Sequence, residues 1–380
     1  MLQNFKFSRE LNFLFLSVVL FAMAMGINLV TFPTILNKHG VSTKNIGLAF
    51  TLDTFGGILI SFFLSKIVAR LTIMRALRLA CFTYAAIILI IYFYQNFFLW
   101  GALAFLMGVM WFIYVITRQS WLNMLLRNDQ RGIVLGIFSM LICAGIALGP
   151  IIVKFSGADH YLSFAISATL AALSFFCLKP LNNTPQPKLE SERIALKEFF
   201  KKNPRVFLGR FFLDFQSFFL VAFSVIFGVK TGFSYEASGL LITAYMASGF
   251  IDPAVGFLLM KWTPYQLINF GFLGCLCCFL AVIFFHSYLF LLSIYFIFGI
   301  FIACIFISVF KVCNDDYPQE KLVAANATFQ LIGSIGAMCG SLVGGLLLNL
   351  FGSVGFPITI VLCCISYLTF LVIYEKKNSK

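Results

Sequence analysis

The sequence predicts an all-α integral membrane protein of twelve transmembrane helices arranged as two pseudo-symmetric six-helix halves. Three observations lead there. Of its 380 residues, 61% are hydrophobic and only 11% charged, whereas a water-soluble domain of this length carries about a quarter charged residues. Apolar runs near the roughly 20 residues that cross a bilayer recur from end to end. A polar interruption near the midpoint then divides those runs six and six. The mean hydropathy of +0.98 and the 49 phenylalanines place lipid, not water, against most of the outer surface.

In order, the spans fall near 11–36, 45–65, 76–94, 98–122, 133–155 and 161–178, then 206–228, 237–259, 266–285, 288–312, 322–350 and 355–374. The first belongs to the repeating pattern and has no small-residue cleavage site, so it reads as a span and not as a cleaved leader. Of the 27 lysines and arginines, only Lys38, Lys44, Lys154 and Lys230 fall in the loops on one side. The rest gather at the other ends. That bias predicts both termini in the cytoplasm and accounts for the net charge of +13 as a topology signal with some attraction to anionic lipid heads, not as a nucleic-acid surface. The expected location is a plasma membrane, the inner membrane of a bacterium.

Between the sixth and seventh spans the chain turns polar, with Pro180, Pro185 and Pro187 followed by alternating charges and by Leu196, Phe199 and Phe200. This reads as an extended linker and a short amphipathic helix on the inner leaflet, or as a solvated tether. The predicted organisation is a bundle over 1–178, a linker over 179–204 and a second bundle over 205–380, with Asn203-Pro204 opening the seventh span. The 11 cysteines lie in or at the edges of apolar spans. Even Cys275, Cys277 and Cys278 lack neighbouring histidines or acids, so no metal or disulfide framework is expected. There is no phosphate-binding P-loop, and no cofactor is expected.

The halves repeat. Asn123, a polar loop, Arg131 and a helix with Gly145-x-x-x-Gly149-Pro150 are matched by Asn314, a polar loop, Lys321 and a helix with Gly336-x-x-x-Gly340-x-x-x-Gly344. Two six-helix halves related by an axis along the membrane normal suit a major facilitator. Gly145 to Pro150 resembles the fifth-helix signature of many exporters of the major facilitator superfamily. Gln119 to Gly132, with Asn314 to Ala325, is similar to a little-characterised, drug-exporter-like bacterial branch of it. The chain departs from the family pattern as well. Ala69 and Met260 stand where the loop motifs carry an acid, Ala104 where the fourth helix often has arginine, Gln119 for a glutamate, and Val153-Lys154 where the fifth-helix signature has glycines.

The resemblance implies a cavity lined by the first, fourth, seventh and tenth helices. There the candidates are Asn28, Trp111, Tyr114, Arg118, Arg210, Gln216 and Tyr295. Met107, Trp111, Tyr114 and Arg118 form one helical stripe, suited to an amphipathic or anionic solute; core packing is the competing reading of each aromatic taken alone, and Arg118 could snorkel to the interface. Charge within a span is functional by default. Asp53 and Asp214 are therefore the candidates for proton coupling. Arg210 shares a helical face with Asp214, whereas Asp53 has no cation in its span, which makes it the favoured carrier. The competing reading of Asp53 is a hydrogen-bonded acid holding the second helix against a glycine face. Gly145, Gly149, Pro150, Gly336, Gly340 and Gly344 are expected to form the bendable contacts along which the halves move.

These features together predict a secondary active transporter of a small organic solute, a proton-coupled exporter working by alternating access, and no enzyme. The alternatives are an importer or facilitator of the same fold, or a transporter-like sensor. The expected partners of the monomer are the small-molecule substrate, protons and membrane lipids, with no nucleic acid.

Overall fold

The structure, a computed structural model, describes residues 9–94, 96–125, 131–179, 194–259, 261–318 and 321–378. Among these residues every regular element is helical. Eight stretches are long and apolar enough to cross a membrane by length and composition. The first half comprises Arg9–Lys38, Thr43–Ser61 continued by Leu64–Leu71, Ile73–Phe93, Phe97–Leu125, Arg131–Ser156 and Tyr161–Cys177. The second comprises Pro204–Lys230, Tyr235–Ala247 continued into Asp252–Leu258, Pro264–Phe284, Tyr288–Asp315, Leu322–Phe351 and Gly355–Asn378. We call the end where the first span begins and the last one finishes the terminal face.

Local chemistry starts these helices where it should. Asn203 accepts a hydrogen bond from the Val206 amide at 3.1 Å, and Pro204 occupies the first turn, where a missing N–H is harmless. Thr263 and Gln266 close a capping box ahead of the ninth span. Two spans break in ways that apolar length alone does not foretell. The second continues past a turn at Phe62 and Phe63 into Leu64–Leu71, where the sequence suggests a connection, and ends at Thr72 with φ 68°, a left-handed conformation uncommon for a β-branched residue. The eighth tightens into a 3-10 turn over Ser248–Ile251, just before Pro253, which has no N–H to offer the preceding turn.

The proline-bearing part of the linker, 180–193, lies outside the described residues, as do the side chains of Ala69, Asn123, Arg131 and Met260. The short helix Leu196–Lys202 is docked on the second half. Its Phe199 is buried and stacks on Tyr317 with centroids 5.6 Å apart. Thr328 donates to the Ile194 carbonyl at 2.8 Å, and Asn203 donates to Asp316 at 2.8 Å.

Within the halves the first helix packs along the fifth and the seventh along the eleventh. Between them the second lies along the eleventh and the fifth along the eighth. Exchanging each helix for its counterpart six positions on turns one set of pairs into the other, which is the pseudo-twofold.

The glycine faces read from the sequence require a correction. A Cβ on Gly149 would lie 2.3 Å from the Gly26 backbone, and one on Gly145 2.6 Å from Ala22, so both face the first helix of their own half. Gly336 and Gly340 would meet the Phe211 and Phe215 carbonyls at 2.2 Å, and Gly344 the Phe219 ring at 2.0 Å; all three face the seventh helix. Pro150 alone turns to the other half, against Gly239. The physical reason is that glycine spacing allows close approach without saying which neighbour approaches. Pro150 cannot donate to the Ile146 carbonyl four residues back, and that oxygen instead sits 2.2 Å from where a Gly26 Cβ would be. Proline and glycine thus serve one close crossing.

Between the halves, two glycines meet directly at Gly47 and Gly345. A Cβ on Gly47 would lie 2.5 Å from the Ser341 carbonyl and 3.1 Å from the Gly345 Cα. Ser341-x-x-x-Gly345 is a small-residue face one position round from the one singled out in the sequence. Thr243 donates to the Ala147 carbonyl at 2.8 Å within the spans, and three more polar contacts between halves lie at the same end as Gly47, away from the terminal face. Asn37 donates to the Tyr235 hydroxyl at 2.8 Å, the Ala158 amide to Glu236 at 3.2 Å, and Thr43 to Asn349 at 3.4 Å. Lys38 lies 5.1 Å from the Tyr235 ring centroid and bonds Asp159 at 2.6 Å, which holds that carboxyl below the usual carboxylate range. This far face is closed.

Leucine at the two kinds of glycine should therefore fail differently. Gly149→Leu collides inside one half, and its expected effect is a loss of folded protein, read by size-exclusion yield. Gly47→Leu collides only while the far face is shut. It is expected to fold, and to make a cysteine at Leu36 reactive from the far side.

Candidate functional site

The first four spans and Phe218 of the seventh enclose a cavity of about 90 Å³. It runs from mid-membrane towards the closed face, and its walls include Asn28, Phe32, Phe50, Tyr84, Trp100, Met107 and Trp111. Asp53 is its one charged lining residue, about 15 Å along the second helix from Thr43. The side chain is half-buried and has no hydrogen bond or ion pair among the described residues. The fourth helix reaches its backbone closely: a Cβ on Gly108 would lie 1.6 Å from the Asp53 carbonyl oxygen, and one on Gly56 2.3 Å from that of Phe105. The glycine face beside Asp53 is therefore real, but the carboxylate takes no part in holding it.

Beside the acid a polar chain crosses the half. Ser167 donates to the Asn28 carbonyl oxygen at 2.8 Å, and the Asn28 amide donates to the Tyr84 hydroxyl at 3.2 Å. Tyr84 thus accepts through its oxygen, and this chain of bonds does not use its hydrogen. It is the one other titratable side chain lining the space.

The expected stripe on the fourth helix splits. Met107 and Trp111 line the cavity, and the same spacing continues to Ala104 and Trp100, which line it too. In the other direction Tyr114 is fully buried, stacked on Phe21 at 4.1 Å and 3.3 Å from the Ser17 hydroxyl. Arg118 is only 4% exposed, with its guanidinium over Tyr114 at 5.0 Å and Phe138 at 4.8 Å, so it does not snorkel. Gln216 is buried towards the twelfth helix, where Cys364 approaches it at 3.4 Å, and Tyr295 receives the Ser224 hydroxyl at 3.1 Å. Neither lines the cavity. Phe50, Tyr84, Trp100 and Phe218 escaped the sequence reading. Only Trp100 had a signal, the continued stripe.

Asp214 and Arg210 form a second cluster, paired at 2.7 Å and 13% and 8% exposed. Arg210 also donates to Gln330 at 2.8 Å and lies 4.7 Å from the Phe329 ring centroid. A Cβ on Gly333 would lie 2.0 Å from the Asp214 carboxylate and 2.6 Å from the guanidinium, so the pair fills a notch that glycine leaves in the eleventh helix. His39 reaches the Ile35 carbonyl and His160 caps its own helix, so these histidines serve local structure. Lys311 pairs with Asp315 at 2.7 Å.

Two six-helix halves that meet across a pseudo-twofold, with a cavity at mid-membrane depth, are the build of a solute transporter. The chain belongs to the Major Facilitator Superfamily, whose family model matches residues 14–338 and 206–380. It is a multi-pass membrane transporter of a small-molecule substrate and not an enzyme. A curated relative, an uncharacterised transporter of the same superfamily, YfkF of Bacillus subtilis (strain 168), is 22% identical over 293 residues, covering 75% of this chain and 74% of that one. The fold is similar to that of the nucleoside transporter NupG, with a TM-score of 0.80 at 12% identity over 98% of this chain and 100% of the other. It also resembles a POT family transporter solved with 5-aminolevulinic acid, with a TM-score of 0.78 at 12% identity over 99% and 98% of the two chains.

Proposed function

We infer that the chain is a proton-coupled exporter of small organic cations, and that proton and solute alternate on Asp53. The observation that carries this reading is the lone carboxylate. An uncompensated charge in a span costs several kcal/mol, and among the described residues Asp53 has no cation paired with it to offset that. A proton or the positive charge of a solute would neutralise it. The walls suit the second occupant, because aromatic faces attract ammonium groups electrostatically. With Arg118 away from the cavity, the anionic solute suggested by the sequence loses its partner.

The charge bias supports a cytoplasmic terminal face, which makes the closed far face the outer one in this reading. At about 90 Å³ the cavity has room for only a few waters, well below the roughly 300 Å³ of a typical ligand site. A solute enters when the halves 1–178 and 205–380 part at the cytoplasmic side, and leaves when the contacts at Gly47, Asn37 and Glu236 open. The fifth-helix signature shared with exporters supports the outward direction.

Tryptophan fluorescence tests the substrate class, since Trp100 and Trp111 line the cavity. Organic monocations from tetramethylammonium to tetraphenylphosphonium should quench it saturably, and more weakly at low pH, where protons compete. Benzoate should not. Saturable quenching by benzoate with none by any cation overturns the reading. In a cysteine-free background, a cysteine at Lys230 should react with an impermeant reagent in intact cells, and one at Lys261 should not. The reverse pattern inverts the topology.

A further inference from the structure

We propose that a groove on the outside of the first half, between the third and sixth spans, is a binding site for the headgroup of an anionic phospholipid. The groove has a volume of about 420 Å³ and is lined by Arg75, Arg78, Leu79, Phe82 and Phe175. It sits at the terminal face, where the third span starts and the sixth ends. Lys179 stands beside it, its ammonium 5.8 Å from the Phe175 ring centroid and 4.8 Å from that of Phe176.

Its chemistry is divided along its length. Arg75, Arg78, Leu79 and Phe82 follow the spacing of one helical face, so cations occupy the end nearest water and apolar side chains continue into the membrane. Phe82 and Phe176 are 62% and 54% exposed, as a surface meant for acyl chains would be. No acid lines the groove, and none of the three cations has an ion pair among the described residues. The Arg78 Nε donates to the Met74 carbonyl at 3.1 Å, which fixes the guanidinium plane while leaving its outer edge for an acceptor. Arginine presents paired donors that match phosphate geometry. A free phosphate would satisfy the cations but leave the apolar floor unused, whereas a phospholipid fills both parts. Clustered basic side chains at the inner surface of spans favour anionic lipid.

The test is lipid retention by the detergent-purified full chain, read by native mass spectrometry and thermal unfolding. Phosphatidylglycerol is expected to stay bound and to raise the melting temperature, while phosphatidylcholine does neither. An R75Q/R78Q variant should lose about tenfold or more in phosphatidylglycerol retention, and R75K/R78K should recover part of it. A K261Q/K377Q variant, equally reduced in charge elsewhere, should bind as the wild type does. Both arginines act from the surface, so the melting temperature without lipid reports that the variants fold. Equal retention by wild type and R75Q/R78Q overturns the proposal, as does equal binding of phosphatidylcholine or complete displacement of the lipid by millimolar inorganic phosphate.

Discussion

Replacing Asp214 with asparagine is expected to destabilise the protein by about 3–5 kcal/mol, the cost of leaving a buried cation without its partner. Arg210 is 8% exposed, and among the described residues its polar and ring partners besides Asp214 are Gln330 and two aromatic rings, none of which carries a countercharge. Melting temperature in detergent measures the loss. The double variant Arg210→Gln/Asp214→Asn removes both charges and should recover much of it, because an uncharged pair leaves nothing to compensate. Gly333→Ala should mimic the single variant, since its methyl would displace the carboxylate. If Asp214→Asn melts with the wild type, the pair is not a structural clasp between the seventh and eleventh helices.

Asp53→Asn is expected to do the opposite: leave stability nearly unchanged and stop coupled transport. Among the described residues its carboxylate makes no bond whose loss would weaken the fold, and asparagine has almost the same size as the protonated acid. The variant should bind organic cations at least tenfold more weakly, if a charge-assisted contact contributes about 1.5–3 kcal/mol, and the residual binding should no longer vary with pH. Tyr84→Phe keeps the ring but removes the hydroxyl that faces the same space, and should weaken cation binding only slightly. A pH-dependent, full-strength binding curve for Asp53→Asn would move the coupling role elsewhere.

The spans were legible in the sequence because crossing a bilayer fixes a length and forbids most charge, and both leave marks that survive without knowledge of packing. The caps at Asn203 and Thr263 were local chemistry of the same kind. Rotation was not legible. On a lipid-embedded helix the buried and exposed faces are both apolar, so the periodicity that orients a soluble helix is nearly silent. That is why one sequence stripe joins Tyr114 and Arg118 to Trp111, and why the glycine spacing points to Gly344 where the structure sets Gly345 against the other half. Asp53 could be singled out because intramembrane charge needs no orientation to be conspicuous. Its aromatic surroundings on three other helices needed the fold.

Coupled export requires one carboxylate to exchange one proton for one monovalent cation, and flux in proteoliposomes tests that most directly. Radiolabelled tetraethylammonium, with potential clamped by valinomycin and potassium, should accumulate in vesicles with an acidic lumen by about tenfold per pH unit at equilibrium. A one-for-one exchange moves no net charge, so the clamped potential should not matter. Accumulation that ignores the pH gradient, or that follows the potential alone, would contradict the account.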